Sequence, residues 1–185
     1  MTLAEFLAEV VDQLERADVD YMIGGSVASS IYGEPRTTRD IDIVMEVTAT
    51  SLRRLFAAFD RDRVYIDEPH PDERILAGRM FNLLDLRGGW KVDLVIRKDR
   101  PFSEVEFGRR QQLLVLGVPA MVASVEDVLL TKLEWATLSG SSRQVDDALG
   151  IVAVQQLALD LPYLRHWAAQ LGVADLLERV LTGQH

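Results

Sequence analysis

Asp40 and Asp42 stand two positions apart at the head of an otherwise apolar run that continues to Met45. Side chains alternate along a β-strand, so a strand over residues 40–45 aims both carboxylates at the same face. Two unpaired anions held side by side repel and raise each other's pKa, and a divalent cation resolves the conflict. Hard oxygen ligands favour Mg²⁺ or Mn²⁺ over zinc. Asp93 is the natural third ligand. It is the single charge within Val92-Asp93-Leu94-Val95-Ile96, a run apolar enough for a buried strand, where a lone carboxylate is costly unless paired or bound to metal.

The surrounding pattern supplies at least four strands and several helices. Leu3, Phe6, Leu7, Val10, Val11 and Leu14 recur at helical spacing, with Thr2 as N-cap and Glu5 completing a capping box. Residues 21–23 read as a short strand that stops at Gly24-Gly25, and residues 26–32 as a helix ending at Gly33. A helix follows over 52–59. Strands over 81–86 and 91–96 flank a hairpin turn at Arg87-Gly88-Gly89-Trp90, and short edge strands fit 112–116 and 120–122. After Ser124 the character is helical, over 125–138, 143–156, 161–171 and 173–181. The fold class expected is therefore α/β (α+β). Residues 1–123 form the core, and 124–185 form a C-terminal helical subdomain packed on it.

A chain of 185 residues with 48% hydrophobic content buries one substantial core. The absence of cysteine excludes disulfides, cysteine-ligated zinc and thiol nucleophiles, and a reducing cytoplasm is the easier setting. Glu5, Glu9 and Asp12 near the start, and Gln155-Gln156 within the apolar stretch 148–159, leave neither a signal peptide nor a membrane span to be expected. A net charge of −9 gives no global footprint for nucleic acid, which would need a local basic patch at Arg36 and Arg39 or at Arg97, Lys98 and Arg100.

Gly24-Gly25-Ser26 falls between a strand and a helix. The glycines permit close backbone approach, the helix N-terminus offers N–H groups to a phosphate, and Ser26 adds a hydroxyl. A glycine-serine turn, an Asp-x-Asp strand start and a later strand aspartate together resemble the DNA-polymerase-β nucleotidyltransferase superfamily. Within it, Gly24-Gly25-Ser26-Val27-Ala28, Tyr32-Gly33 and the run from Arg36 through Thr37, Thr38 and Arg39 to Asp42 are similar to the small bacterial AbiEii-type toxin nucleotidyltransferases. The likeness is carried by residues 21–46 and less by the helical tail. It implies a mixed sheet with helices on one face, a triphosphate on the glycine turn, Mg²⁺ on Asp40 and Asp42, and Asp93 completing the metal site and helping to activate an attacking hydroxyl. In-line attack on the α-phosphate would release pyrophosphate. A haloacid-dehalogenase-type phosphatase also opens on Asp-x-Asp, but there a hydrophobic strand precedes the first Asp, whereas Arg36-Thr37-Thr38-Arg39 precedes it here.

Lys132 lies on the stripe Val125, Val128, Leu129, Lys132, Trp135 and Ala136, which reads as inward-facing. Either its ammonium snorkels to the edge, or it neutralises triphosphate, as the resemblance implies. Arg36 and Arg39 orient phosphate or balance the aspartates. Arg143, Asp146 and Asp147 loosely resemble an Arg and Asp cluster of related enzymes but lack the Lys-Asp pair of the toxin motif, and macrodipole stabilisation is the plainer reading of Asp146. His70, His166 and His185 show no metal-ligand spacing and read as surface residues. Trp90, Trp135 and Trp167 read as packing residues.

The function expected is transfer of a nucleoside monophosphate from a nucleoside triphosphate to a hydroxyl of RNA, protein or a small molecule. The alternative is a nucleotide- or partner-binding module with little or no turnover, one half of a toxin–antitoxin pair. A third is antibiotic modification. The stripe Leu161, Leu164, Ala168 and Leu171 packs on the core or faces a partner protein or a second copy.

Overall fold

The computed structural model describes residues 1–38, 40–67 and 78–184. Among them seven strands are β1 (Asp20–Ile23), β2 (Asp40–Glu46), β3 (Val64–Ile66), β4 (Met80–Asp85), β5 (Lys91–Ile96), β6 (Gln111–Val115) and β7 (Val118–Val122). Eight helices are α1 (Leu3–Arg16), α2 (Gly25–Tyr32), α3 (Ala49–Ala57), α4 (Pro101–Gly108), α5 (Val125–Ser139), α6 (Ser142–Gln155), α7 (Leu161–Leu171) and α8 (Ala174–Leu181). None is long and apolar enough to cross a membrane. The chain forms two compact units, one of residues 1–23 with 38–122, the other of residues 24–37 with 123–185.

The first unit carries one seven-stranded mixed sheet in the order β3-β4-β5-β2-β1-β7-β6. β2 runs parallel to β5 and antiparallel to β1, and β1 meets β7 in parallel at Ile23↔Val122. Period-two burial divides the central strands cleanly. Ile41, Ile43 and Met45 of β2 and Val92, Leu94 and Ile96 of β5 are buried on one face. Phe81 of β4, opposite Leu94, meets Phe56 of α3 edge-on at 5.4 Å between ring centroids, which puts α3 on that apolar face. α1 packs against α3, β1 and β7, and its start has the expected capping box. There the Thr2 backbone N–H and hydroxyl hold the Glu5 carboxyl below its usual pKa.

Two elements of this unit were not apparent from pattern. β3 has three residues, too few for alternation to register, and α4 buries only Phe102, Ser103 and Phe107, an irregular stripe whose one local signal is Pro101 at its first turn. A correction concerns residues 120–122. They lie in β7, an interior strand between β1 and β6, because Val122 pairs with Ile23; β6 alone forms that edge.

The second unit is helical. α5 packs against α2, α6, α7 and α8, and α2 also packs against α6. Gly33, the C-cap of α2, is required by this packing: a Cβ there would meet Ile151 N at 2.8 Å. Beside it Gln155 Nε2 donates to the Tyr32 carbonyl at 2.8 Å, and the Tyr32 hydroxyl donates to the Ala123 carbonyl at 2.8 Å. Leu164 and Ala168 of α7 are fully buried against neighbouring helices, so the middle of that stripe is core, while Leu161 and Leu171 at its ends are partly exposed.

Candidate functional site

The parallel β2–β5 ladder places Asp42 directly opposite Asp93 and Asp40 opposite Lys91. Residues opposite each other in a ladder share a face, and Asp40 precedes Asp42 by one full pleat. All three carboxylates therefore lie on the face opposite the one that α3 covers, together with Lys91 of β5 and Asn82 of β4, which pairs with Asp93. Exposure falls across this face: Asp40 is exposed, Asp42 half-buried and Asp93 buried.

The side chains themselves are engaged separately. The Thr38 hydroxyl donates to Asp40 Oδ1 at 2.6 Å. Lys91 Nζ stands 2.9 Å from each oxygen of Asp93. It donates to Oδ2; the contact with Oδ1 is electrostatic only, and Oδ1 is buried without a hydrogen bond. Among the described residues no three acidic, histidine or cysteine side chains converge as ligands. The donor set nonetheless fits Mg²⁺ or Mn²⁺: hard oxygens on adjacent strands, one of them a buried acceptor with nothing to accept from. Lys91 escaped the sequence reading. Its signal was present as a lysine two positions before Asp93, hence on the same strand face.

β1 ends at Ile23, and α2 begins within the glycine pair. Gly24 is an N-cap without a side-chain hydrogen bond, and Gly25 has φ 57°, a left-handed conformation that favours glycine. A Cβ at Gly24 would meet nothing within 4 Å, so Gly24 leaves open space. Ser26 is buried, and its carbonyl accepts from the Ser29 and Ser30 hydroxyls.

Within the helical unit a second charged cluster is closed on itself. Lys132 is buried at 4% exposure and donates to Asp147 Oδ2 at 2.7 Å. Arg36 forks onto the same carboxylate, Nε to Oδ1 at 2.9 Å and an η-nitrogen to Oδ2 at 3.1 Å. Burial pushes the Asp147 carboxyl up, but the hydrogen bonds and charges of Arg36 and Lys132 outweigh it and hold its pKa below the usual range. Lys132 thus points inward as its stripe implies, but it ends on an acid instead of snorkelling. Arg36 balances Asp147 and not the strand aspartates. The macrodipole reading of Asp146 is corrected: the first turn of α6 holds no acid, and Asp146 and Asp147 both lie in the second, past the reach of the macrodipole. Trp135 departs from its stripe: it is half-exposed, and Ala136 occupies the buried position.

The remaining candidates are structural or lie elsewhere. Arg97 pairs with Glu46, and Arg100 donates to the Ser103 hydroxyl at 3.0 Å, so neither is simply solvated surface charge. His166 is exposed beside Trp167. Arg39, His70 and His185 lie outside the described residues.

No protein-family model matches this chain, and no curated protein matches it. Solved structures do. An antigenic nucleotidyltransferase-like protein from Paracoccidioides brasiliensis aligns at 18% identity and a TM-score of 0.60, covering 97% of this chain and 92% of its own. The antibiotic-resistance factor ANT(2")-Ia, in complex with adenylyl-2"-tobramycin, aligns at 13% identity and 0.63, covering 93% and 98%. The chain has the nucleotidyltransferase fold. The lincomycin-bound lincosamide antibiotic adenylyltransferase LnuA gives the same result at 16% identity and 0.54, over 83% and 98% of the two chains. Within the nucleotidyltransferase fold the strand register of β2 and β5 is what this chain's own sequence contributes to the candidate site.

Proposed function

We propose that this chain is a divalent-metal-dependent nucleotidyltransferase that moves a nucleoside monophosphate from a nucleoside triphosphate to a hydroxyl. The observation that carries the reading is the in-register pair Asp42↔Asp93 with Asp40 one pleat away, all on the sheet face left free by α3. The nucleotidyltransferase fold supports it, as do the adenylyl product bound to ANT(2")-Ia and the adenylyltransferase activity of LnuA.

Asp40, Asp42 and Asp93 hold the cation in this reading. Mg²⁺ or Mn²⁺, when bound, supplies charge neutralisation at the α-phosphate and its leaving oxygen. The open backbone of Gly24 and Gly25, the first N–H groups of α2 and the Ser26 hydroxyl receive phosphate oxygens. Arg39 adds positive charge for the triphosphate, whereas Arg36 and Lys132 are committed to Asp147. Asp93 accepts the proton of the acceptor hydroxyl as its oxygen bonds to the α-phosphorus and pyrophosphate leaves. The acceptor is a small molecule, RNA or protein. A small-molecule acceptor follows the antibiotic-acting neighbours, and a macromolecular one the AbiEii-like motif of residues 21–46, which would place the protein in a cytoplasmic toxin–antitoxin pair.

Isothermal titration with each of the four ribonucleoside triphosphates, with and without Mg²⁺, tests the assignment against an Asp40→Asn/Asp42→Asn control. Metal-dependent binding that the control loses is the expected result. Absence of binding for every triphosphate sinks the enzyme reading and favours a binding module that keeps the fold.

A further inference from the structure

Lys91 on the carboxylate face belongs to the strand that carries Asp93. Lys91 sits opposite Asp40 in the β2–β5 register, and its ammonium reaches along β5 to stand 2.9 Å from both oxygens of Asp93. Its side chain is 40% exposed, whereas that of Asp93 is 9% exposed. One partner is thus anchored in the sheet, while the other is a flexible stem with room to leave. Asp93 Oδ1, buried and without a hydrogen bond, is under-satisfied by this arrangement.

From this geometry we infer that Lys91 is a built-in counter-ion that occupies the Asp93 carboxylate in the metal-free protein and competes with a divalent cation for it. The inference rests on the reading of Asp40, Asp42 and Asp93 as a cation site and adds an element of regulation to it. A metal ion at inner-sphere distance and an ammonium at 2.9 Å from both oxygens cannot use the same lone pairs. An ammonium on this carboxylate repels an approaching divalent cation, so ligation by Asp93 favours a Lys91 that has swung to solvent, and its exposed four-carbon stem permits that. The same pair also neutralises a buried acid that would otherwise lack any compensating charge while the site awaits its ion. The cation affinity is accordingly weaker than the three carboxylates alone would give, which favours loading together with the anionic triphosphate over loading by free metal.

The test is Mn²⁺ binding by isothermal titration, without nucleotide, to the wild-type chain, Lys91→Met, Lys91→Arg and Asp93→Asn, with thermal melting of each protein in chelator and in Mn²⁺. Lys91→Met is expected to bind Mn²⁺ about three- to ten-fold more tightly than wild type, to melt lower in chelator, and to gain more from Mn²⁺ than wild type does. Lys91→Arg keeps the pair and is expected to stay near wild type, and Asp93→Asn to lose binding. Unchanged or weaker Mn²⁺ affinity in Lys91→Met, with wild type binding and Asp93→Asn not, overturns the competition while leaving the cation site standing. Lack of Mn²⁺ binding in every variant overturns both.

Discussion

The two charged clusters of this molecule use the same residue types and end in opposite states. In the helical unit, Asp147 receives a lysine and a forked arginine, every oxygen is used, and the carboxylate is held ionised despite its burial. On the sheet, Asp93 is as buried, but one oxygen has no hydrogen bond, its single cation is half in solvent, and two more acids stand on the same face. A closed cluster is what a fold makes when charge serves architecture. An open one, with a buried oxygen left without a hydrogen bond, is where an outside ion would complete the structure in the proposed reading.

Mutations break this comparison in opposite directions. Asp42→Asn should lower nucleotidyl transfer by more than about 100-fold, the scale that losing even an outer partner of a metal site reaches. Its unfolding free energy in urea should stay within about 1 kcal/mol of wild type. α-³²P nucleotide transfer and urea titration read the two effects; a large loss of stability would mean that Asp42 belongs to the architecture instead. Asp147→Ala should do the reverse and destabilise the protein by about 3–5 kcal/mol, because two cations lose their buried partner. A loss below about 1 kcal/mol in the same titration would show that Lys132 and Arg36 find other partners.

A third expectation separates the clusters by pH. The folded-state pKa of Asp147 is depressed, so its contribution is present above the unfolded value near 3.9 and is lost as pH falls through the lower folded value. Acid unfolding followed by circular dichroism should therefore steepen below about pH 4 in wild type, and Asp147→Asn should flatten that limb. The smallest effect is expected at Trp135, whose half-exposed ring limits Trp135→Ala to about 0.5 kcal/mol. A loss of several kcal/mol would restore the inward-facing reading of its stripe.

What the sequence made legible was whatever repeats locally. Thr2 and Glu5 announced the capping box, and alternation gave β2, β5 and the shared face of Asp40 and Asp42. The glycine turn into α2 was visible for the same reason. Relations between distant segments were not. Nothing local says that Asp147 rather than Asp146 meets Lys132, because the choice is made by how α6 rotates against α5 and by the path of residues 33–37 that delivers Arg36. Trp135 and Ala136 are adjacent on their helix, and only packing decides which one is buried. Lys91 was legible in principle, since its two-residue spacing from Asp93 fixed a common face, but its register opposite Asp40 depends on a parallel pairing that alternation cannot specify.

That pairing also sets a clock. Asp42 and Asp93 are about fifty residues apart in the chain and meet only when β2 and β5 close in parallel, a non-local step that pays its loop entropy before it gains contacts. The acids thus meet only once that pairing has formed. A growing chain carries no carboxylate site until β5 has been made and paired, and divalent ions in the refolding buffer should speed the last phase of folding more than the first.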